Sequence, residues 1–275
     1  MKRKKKISQG IIHILLILFS IISLFPLYWL ITTSLKPSLD VFSVDMLGFF
    51  KPSLENYETV LMKDQYPKYL LNSVITSLST VAITMPIGSM AGYAFARLKM
   101  KKKDTWFFMI LTTRMAPAVT FAVPIYLMMV GVGMIDHTAG LVIVYVFSNM
   151  ALCIWLTRSF FEDVPKEIEE AAMVDGVSKF GAFIRFAVPI ASGGLVATAI
   201  LIFIFSWNEF FFASILTQNA AKTFTVHLTS FFGSKRILWG ELAAASTLGA
   251  SVPIVFALIM KQYIIRGLTM GAVKE

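Results

Sequence analysis

The sequence predicts an all-α membrane protein with six transmembrane helices. Hydrophobic residues make up 57% of the 275 residues and charged residues only 15%, whereas about one quarter of a typical soluble protein is charged. The mean hydropathy is +0.73, which indicates that much of the surface faces lipid. The sequence lacks the polar–apolar alternation typical of a transmembrane barrel, so we expect helices, which satisfy their own backbone groups in lipid.

Six segments are long and apolar enough to cross a bilayer, which requires roughly 20 mostly apolar residues per helix. They are 11–33, 69–95, 106–129, 139–157, 188–213 and 242–265. The first segment follows a basic start, as a signal peptide does. It is too long for a signal peptide, contains Pro26 and lacks a cleavage site of small residues, so we expect it to be retained.

These segments divide the chain into three parts. We expect a basic tail over 1–10, a transmembrane domain over 11–265 and a C-terminal tail over 266–275. The longest connection on the side of the N-terminus is 158–187.

The distribution of basic residues predicts the orientation. Seventeen Lys and Arg residues lie in the two tails, in the connections on the side of the N-terminus and, in the case of Lys261, at the end of the last segment, and seven lie in the connections on the other side. Because basic residues accumulate in cytoplasmic loops, we expect a multi-pass cell-membrane protein with both termini in the cytoplasm. The net charge of +9 is therefore spread over several loops and does not indicate a nucleic-acid partner.

Connection 158–187 is predicted to contain two short helices. Asp163 suits the N-cap of the first and Pro165 its first turn, and the acidic residues that follow complement the positive end of the helix dipole. Gly176 is placed to end this helix in a left-handed conformation. Ser178 can cap the second helix. That helix carries Phe180, Phe183 and Phe186 along one side.

Small residues form a stripe along the first of these helices. Ile168, Ala171, Ala172 and Asp175 follow helical spacing. The alanines would let the helix lie shallowly in a partner's groove, with Glu167 and Glu170 beside it to pair with basic residues of that partner. The spacing alone leaves open an interfacial helix that faces only solvent.

The segment Glu170–Gly176, followed by Pro189, resembles the EAA loop of ABC-importer permeases. In that family the loop forms a coupling helix that docks into a cleft of the ATPase subunit. Other segments resemble the carbohydrate-uptake branch of the family, whose members of the maltose type have six spans. These segments are Asn72–Ser73, Ala91–Ala94, Trp207–Phe210 and Arg266–Lys274.

The resemblance implies two sets of residues that contact the ATPase. The coupling set is Glu167, Glu170, Ala171, Ala172, Asp175, Gly176, Phe180 and Phe183. The C-terminal set is Gly271, Ala272, Val273 and Lys274.

The resemblance also implies a larger assembly. Its other members would be a second permease subunit, an ATPase dimer and an extracytoplasmic solute-binding protein, and its cargo a small carbohydrate. The sequence has no glycine-rich phosphate loop with a lysine, so ATP and Mg²⁺ are expected on the ATPase and no cofactor on this chain. The three histidines are scattered without metal-ligand spacing, and no catalytic constellation indicates an enzyme.

Four polar residues in the predicted spans are candidates for the transport pathway. Arg114 lies inside a span, where an unpaired charge is costly and must face protein or water. Structure or gating is its favoured role, and contact with the solute is the alternative. Asn208 and Glu209 follow Trp207, which predicts interfacial anchoring first and a sugar pathway second. Asn149 is a weaker candidate of the same kind.

Two other classes of function remain open. An ion-coupled carrier would need acidic residues in the middle of its spans, and these spans contain few. A passive channel or scaffold would require no ATPase.

Overall fold

The computed structural model describes residues 2–37, 50–233 and 237–270, with side chains described over 12–37, 50–233 and 237–260. These residues form helices joined by short connections, with a single isolated β-bridge between Phe232 and Ile237. The helices are α1 (Lys2–Ser34), α2 (Glu55–Glu58), α3 (Tyr66–Arg97), α4 (Lys103–Met115), α5 (Ala122–Gly131), α6 (Thr138–Glu162), α7 (Lys166–Val174), α8 (Lys179–Ala182), α9 (Val188–Ile190), α10 (Ser192–Trp207), α11 (Phe211–Leu216), α12 (Phe224–His227) and α13 (Trp239–Met270).

Four helices within the described part of the chain are long and apolar enough to span a membrane, and two bent helix pairs raise the number to six if each pair is one span. The four are α1, α3, α6 and α13. Predicted segment 106–129 is not one helix, because α4 and the helical residues 118–131 meet at 94°. Ala116 and Pro117 are extended at the break, since proline lacks an N–H and disfavours helix at the residue before it.

The fifth predicted segment, 188–213, is also interrupted. α8 continues through a π-helical turn, Phe183–Ala187, into α9, and this arm meets α10 at 80°. α10 ends at Trp207, and α11 is a separate short helix. A bend of this size lets one segment lie partly along the membrane surface and partly across it.

Contacts divide the chain into two compact units, of which the first comprises residues 1–67 and 228–251. Asn56 is buried there and donates to the carbonyls of Ser34 and Lys36 at 2.9 and 2.8 Å, which fixes α2 against the end of α1. The Tyr66 hydroxyl donates to the Ala245 carbonyl at 2.5 Å. Residues 12–29 of α1 are exposed within this chain, as an apolar helix in lipid can be.

The second unit comprises residues 68–227 and 252–275, and its centre is a close packing of α3 on α6. A Cβ placed on Gly88 would lie 2.4 Å from the Cys153 Sγ, and one on Gly92 would lie 2.1 Å from the Thr157 Oγ1. The Thr157 hydroxyl donates to the Gly88 carbonyl at 3.2 Å. Glycines four residues apart therefore let the two backbones approach.

α6 also packs on α10 in the second unit. A Cβ on Gly194 would lie 2.2 Å from the Phe160 ring. The Asn149 amide lies 3.4 Å from the Ser206 hydroxyl along the same contact. α6 is thus held on both sides, and it runs from Thr138 past Asn149 to Glu162, directly before the connection that carries α7.

Candidate coupling helix and transport cavity

α7 begins directly after Pro165, and Glu167 and Glu169 lie in its first turn. Asp163 was predicted to cap this helix, and that prediction is wrong. α6 extends to Glu162, so Asp163 occupies its C-cap, where its N–H donates to the Ser159 carbonyl. Pro165 takes the position before α7 because its fixed φ suits the start of a helix and its missing N–H is not needed there.

The predicted end of α7 is confirmed. Gly176 has φ +86°, in the left-handed region that favours glycine. The Val177 N–H donates to the Ala172 carbonyl at 3.0 Å, which satisfies one of the last carbonyls of the helix. Ser178 caps α8, as predicted, because its hydroxyl accepts from the Gly181 N–H at 3.1 Å.

One face of α7 is exposed with respect to the described residues. The residues of the predicted coupling set that are exposed on α7 and at the turn after it are Glu167, Glu170, Ala171, Asp175 and Gly176. No described residue forms an ion pair with Glu167 or Glu170. This acidic face with a small alanine at its centre is therefore available to another molecule.

Two residues of the predicted coupling set lie inside the chain instead. Ala172 is buried where α7 packs on α8 and on the Phe183–Ala187 turn. Phe183 is buried between the rings of Tyr93 and Phe161, with centroids 4.7 and 5.7 Å away. The predicted aromatic face therefore divides, since Phe180 is 64% exposed. A partner can contact Phe180 and not Phe183 or Ala172.

Glu169 is the functional candidate that the sequence pattern did not reveal. It is buried, and its carboxylate accepts from the Arg97 guanidinium at 2.8 Å and from the Tyr93 hydroxyl at 2.5 Å. Arg97 also donates to the Val164 carbonyl at 2.6 Å. The available signal was the position of Glu169 three residues before the small Ala172, on the inward side of α7.

A cavity of about 530 Å³ lies in the second unit, beside the break between α4 and α5. It brings together three of the four predicted pathway residues, Arg114, Asn149 and Glu209. The other lining residues are Thr113, Ala116, Ala118, Phe121, Ile125, Phe147, Ser148, Phe205 and Phe212. Asn208 is not among them, because its amide is exposed and donates to the Ile204 carbonyl of its own helix.

The polar groups of the cavity differ in how firmly they are held. Glu209 accepts from the N–H groups of Phe212 and Ala213 at 2.8 and 3.0 Å, so its carboxylate caps α11. The Arg114 guanidinium lies 5.0 Å from the centre of the Phe205 ring and donates to the Ser148 carbonyl at 3.3 Å. Among the described residues, no carboxylate lies within 4.0 Å of Arg114. Its charge is therefore not neutralised by an ion pair with any described residue.

Trp207 does not anchor the protein at an interface, and that prediction is wrong. Its side chain is buried, stacked on Phe203 with centroids 5.7 Å apart and packed against Phe224 at 4.9 Å. The segment after α11 folds back over the end of α10 and covers the indole. The position of Trp207 at the end of an apolar run gave no sign that a later segment would cover it.

At the end of this unit opposite α7, Asp136 holds the connection after α11. Its carboxylate accepts from the backbone N–H groups of residues 218–221 at 2.9–3.2 Å, and its own N–H donates to the Leu216 carbonyl. Partial burial opposes ionisation, but the four N–H donors outweigh it and lower the pKa of Asp136 to about 2. The Asn72 amide donates to the carbonyls of Ala220 and Lys222. Residues 218–222 thus form a fixed loop.

Apolar helices long enough to cross a membrane, together with a cavity in the second unit that is lined by Arg114, Asn149 and Glu209, indicate a membrane transport protein. A family model described as "Binding-protein-dependent transport system inner membrane component" matches residues 84–270, and the chain belongs to this family. It is a multi-pass membrane subunit of a binding-protein-dependent transport system. The C-terminal set Gly271, Ala272, Val273 and Lys274 lies outside the described residues.

Curated relatives cover nearly the whole chain. The trehalose/maltose transport system permease protein MalG of Thermococcus litoralis is 32% identical over 99% of this chain and 99% of its own length. The trehalose transport system permease protein SugB of Mycobacterium tuberculosis is 35% identical over 92% of this chain and 93% of its own. The inner membrane ABC transporter permease protein YcjP of Escherichia coli is 30% identical, over 98% of each chain.

Solved structures show the same fold. A chain from the crystal structure of a bacterial ABC transporter that imports the acidic polysaccharide alginate has a TM-score of 0.79 at 21% identity, covering 95% of this chain and 98% of that one. A chain from the bacterial alginate ABC transporter in complex with its pentasaccharide-bound periplasmic protein has a TM-score of 0.68 at 14% identity, with 93% and 94% covered.

Proposed function

We propose that this chain is one of two permease subunits of an ABC importer that brings a carbohydrate into the cell. The observation that carries the proposal is α7, whose acidic outward face, centred on Glu170 and Ala171, belongs to the EAA-like segment and is not covered by any residue that the structure describes. That face docks into the ATPase subunit. The exposed side chains Glu167, Asp175 and Phe180 extend the contact.

The carbohydrate cargo is supported by the cavity and by the relatives. The Arg114 guanidinium supplies hydrogen-bond donors beside the rings of Phe121, Phe147 and Phe205. The Asn149 N–H groups donate within this chain and leave its amide oxygen as an acceptor. Sugars offer hydroxyl groups on one edge and apolar C–H surfaces on their faces. Two relatives that cover almost the whole chain are named as trehalose or trehalose/maltose permeases. We therefore place Arg114, Asn149 and Glu209 at the solute pathway and leave Asn208 outside it.

The distribution of basic residues indicates the orientation of this chain in the membrane. The excess of Lys and Arg on the side of the N-terminus supports an orientation with both termini and α7 in the cytoplasm. The loop that Asp136 and Asn72 hold then faces outward, where the solute-binding protein delivers its cargo. An outer loop that is already fixed presents a docking surface at low entropic cost.

The ATPase dimer supplies the energy, and ATP and Mg²⁺ bind there. Closure of the dimer displaces α7, and the packed helices of the two permeases rearrange from an inward-open to an outward-open cavity. This is a two-state change driven by a ligand at a distant site, so an occupied cavity or a docked binding protein must in turn affect the ATPase. This chain hydrolyses nothing itself.

The test is purification of the tagged chain from its native membrane. We expect an ATPase, a second permease and, in the presence of solute, a binding protein to co-purify. Uptake of radiolabelled trehalose and maltose into vesicles that contain the complex is expected to stop when the catalytic glutamate of the ATPase is replaced. Uptake that continues without ATP and responds to a proton or sodium gradient would instead show an ion-coupled carrier. Uptake that stops once the solute concentrations inside and outside the vesicles are equal would show a passive channel.

A further inference from the structure

We propose that the buried pair of Arg97 and Glu169, together with the Tyr93 hydroxyl, is the joint through which movement of α7 reaches the membrane helices. This rests on the proposed function, because it assumes that α7 is displaced by an ATPase. Arg97 and Glu169 do not contact the ATPase themselves. They are positioning residues that lie between the docking face of α7 and the cavity.

Both carboxylate oxygens of Glu169 are held by side chains of α3. One carboxylate oxygen accepts from the Arg97 Nε and lies within 2.8 Å of Nη2, and the other accepts from the Tyr93 hydroxyl at 2.5 Å. The side chains of Arg97 and Glu169 are 9% and 5% exposed. Charge-assisted bonds of this kind are short and directional, and burial removes the water that would screen them. They fix the position of α7 relative to α3.

α7 buries few other side chains against the part of the chain that the structure describes. Glu169 and Ala172 are the buried residues among its nine. α7 also packs on α8 and on the Phe183–Ala187 turn, which follow it directly in the chain. Glu169 instead reaches partners 72 and 76 residues earlier, on α3. The pair is therefore the strong contact that connects α7 to a distant helix.

The path continues from α3 into the cavity. α3 is locked to α6 by the contacts of Gly88 and Gly92 with Cys153 and Thr157. Thr157 lies eight residues after Asn149, which lines the cavity, so the two are about 12 Å apart along α6 at 1.5 Å per residue. A displacement of α7 that moves α3 must move α6 with it, because the two backbones are too close to slide past each other.

The experiment measures the solvent accessibility of the cavity in the intact complex. Ser148 lines the cavity and is exposed, so S148C provides a reporter for a water-soluble maleimide. The native Cys153 is buried, and the complex without the reporter gives the blank. The labelling rate is measured with and without Mg-ATP and orthovanadate, and ATP hydrolysis is measured in the same samples. No transported solute is required.

The variants to compare in the S148C background are Glu169→Gln, Tyr93→Phe and Glu162→Gln. Glu162 is the matched control, since it pairs with Arg158 at 2.8 Å on the surface and does not contact α7 through that pair. Allosteric coupling of ordinary size corresponds to about 5- to 150-fold. We expect nucleotide to change the labelling rate at least about fivefold in the reporter alone and in E162Q. In E169Q we expect the change to disappear while ATP hydrolysis persists, and in Y93F to be reduced.

The proposal is overturned if E169Q and Y93F both keep the full effect of nucleotide on labelling. If E169Q does not assemble, Y93F decides, because it removes one hydrogen bond and leaves the ion pair in place. If nucleotide does not change the labelling rate of the complex that carries S148C alone, this result would contradict the proposed function itself. The two failures are therefore distinguishable.

Discussion

The Asp136 Oδ2 accepts a hydrogen bond from the Ala220 N–H at 2.9 Å, across 84 residues of sequence. Three neighbouring N–H groups, of residues 218, 219 and 221, point at the same carboxylate. A single ionised side chain thus organises the loop that we place on the outer surface.

Replacing Asp136 with Ala should free this loop. The N–H groups of residues 218–221 lose their acceptor, so their hydrogen-exchange protection is expected to fall, and stimulation of ATP hydrolysis by the binding protein to weaken. Exchange measured by mass spectrometry on the detergent-solubilised complex checks the first result. Asp163→Ala is the control, because Asp163 is exposed and its side chain makes none of these bonds. Unchanged protection of residues 218–221 in D136A would refute the role of this carboxylate.

The same carboxylate gives a pH dependence with a defined sign. Its pKa is about 2 in the folded protein and 3.8 in the reference state, so the carboxylate stabilises the fold fully above the higher value. The stabilisation decreases as pH falls from about 4 to about 2. Acidification through this range should abolish the difference in loop protection between the wild type and D136A.

Reversing the charge of Glu170 should uncouple the transporter without unfolding it. The side chain is exposed and pairs with no described residue, so Glu170→Lys is expected to reach the membrane in normal amounts. Loss of attraction to a basic ATPase surface should reduce co-purification of the ATPase and transport together. Immunoblotting of the purified complex and an uptake assay measure both.

Glu162→Lys is the matched charge reversal for this test. It breaks a partly exposed pair with Arg158, for which exposed pairs suggest about 0.2–1 kcal/mol, and should leave ATPase association intact. Equal effects of the two reversals would show that Glu170 has no specific contact.

Adding a side chain at Gly92 should destabilise the packing of α3 on α6. A Cβ there would lie 2.1 Å from the Thr157 Oγ1 and 2.8 Å from the Arg158 backbone nitrogen, and backbone cannot move away cheaply. Overpacking of this kind costs about 1–3 kcal/mol or more. Gly92→Ala should therefore lower the thermal unfolding temperature in detergent. Gly131→Ala, where the added Cβ meets nothing within 4 Å, should leave it unchanged, and a similar loss in both variants would contradict the packing account.

Replacing Arg114 with Gln should reduce transport while assembly is preserved. The guanidinium lines the cavity beside Phe205 and has no carboxylate partner among the described residues. Loss of a hydrogen bond from a charged group costs about 1.5–3 kcal/mol, which lowers uptake roughly tenfold or more if the solute uses it. Uptake assays with Arg114→Lys, which retains the positive charge but not the guanidinium group, show which of the two the solute requires. Normal uptake by both variants would remove Arg114 from the pathway.

Local chemistry predicted the parts of the fold that depend on neighbouring residues. Apolar runs of sufficient length indicated the membrane segments, and Gly176 and Ser178 indicated the end of α7 and the start of α8, because a left-handed turn and a hydroxyl cap are local requirements. The exposure of Glu170 and Ala171 agrees with the predicted docking face.

Features that depend on distant residues were not predictable in the same way. Glu169 reads as one more acid in an acidic helix, and only its pairing with Arg97, 72 residues earlier, buries it. Trp207 reads as an interfacial anchor, and only the returning segment with Phe224 covers it. Ala172 and Phe183 were expected to face a partner, yet this chain already provides their surroundings.

In the proposed assembly, the outward face of α7 contacts a separate ATPase subunit. Cysteines introduced by Ala171→Cys and Ala172→Cys test it most directly, because the first position is exposed and the second is buried. In membranes that contain the whole assembly, treated with a short thiol-reactive photo-crosslinker, we expect A171C to form an adduct with the ATPase and A172C to form none. A contradictory result would be A171C adducts with lipid or with no protein at all, while the ATPase is present and active in the same membranes.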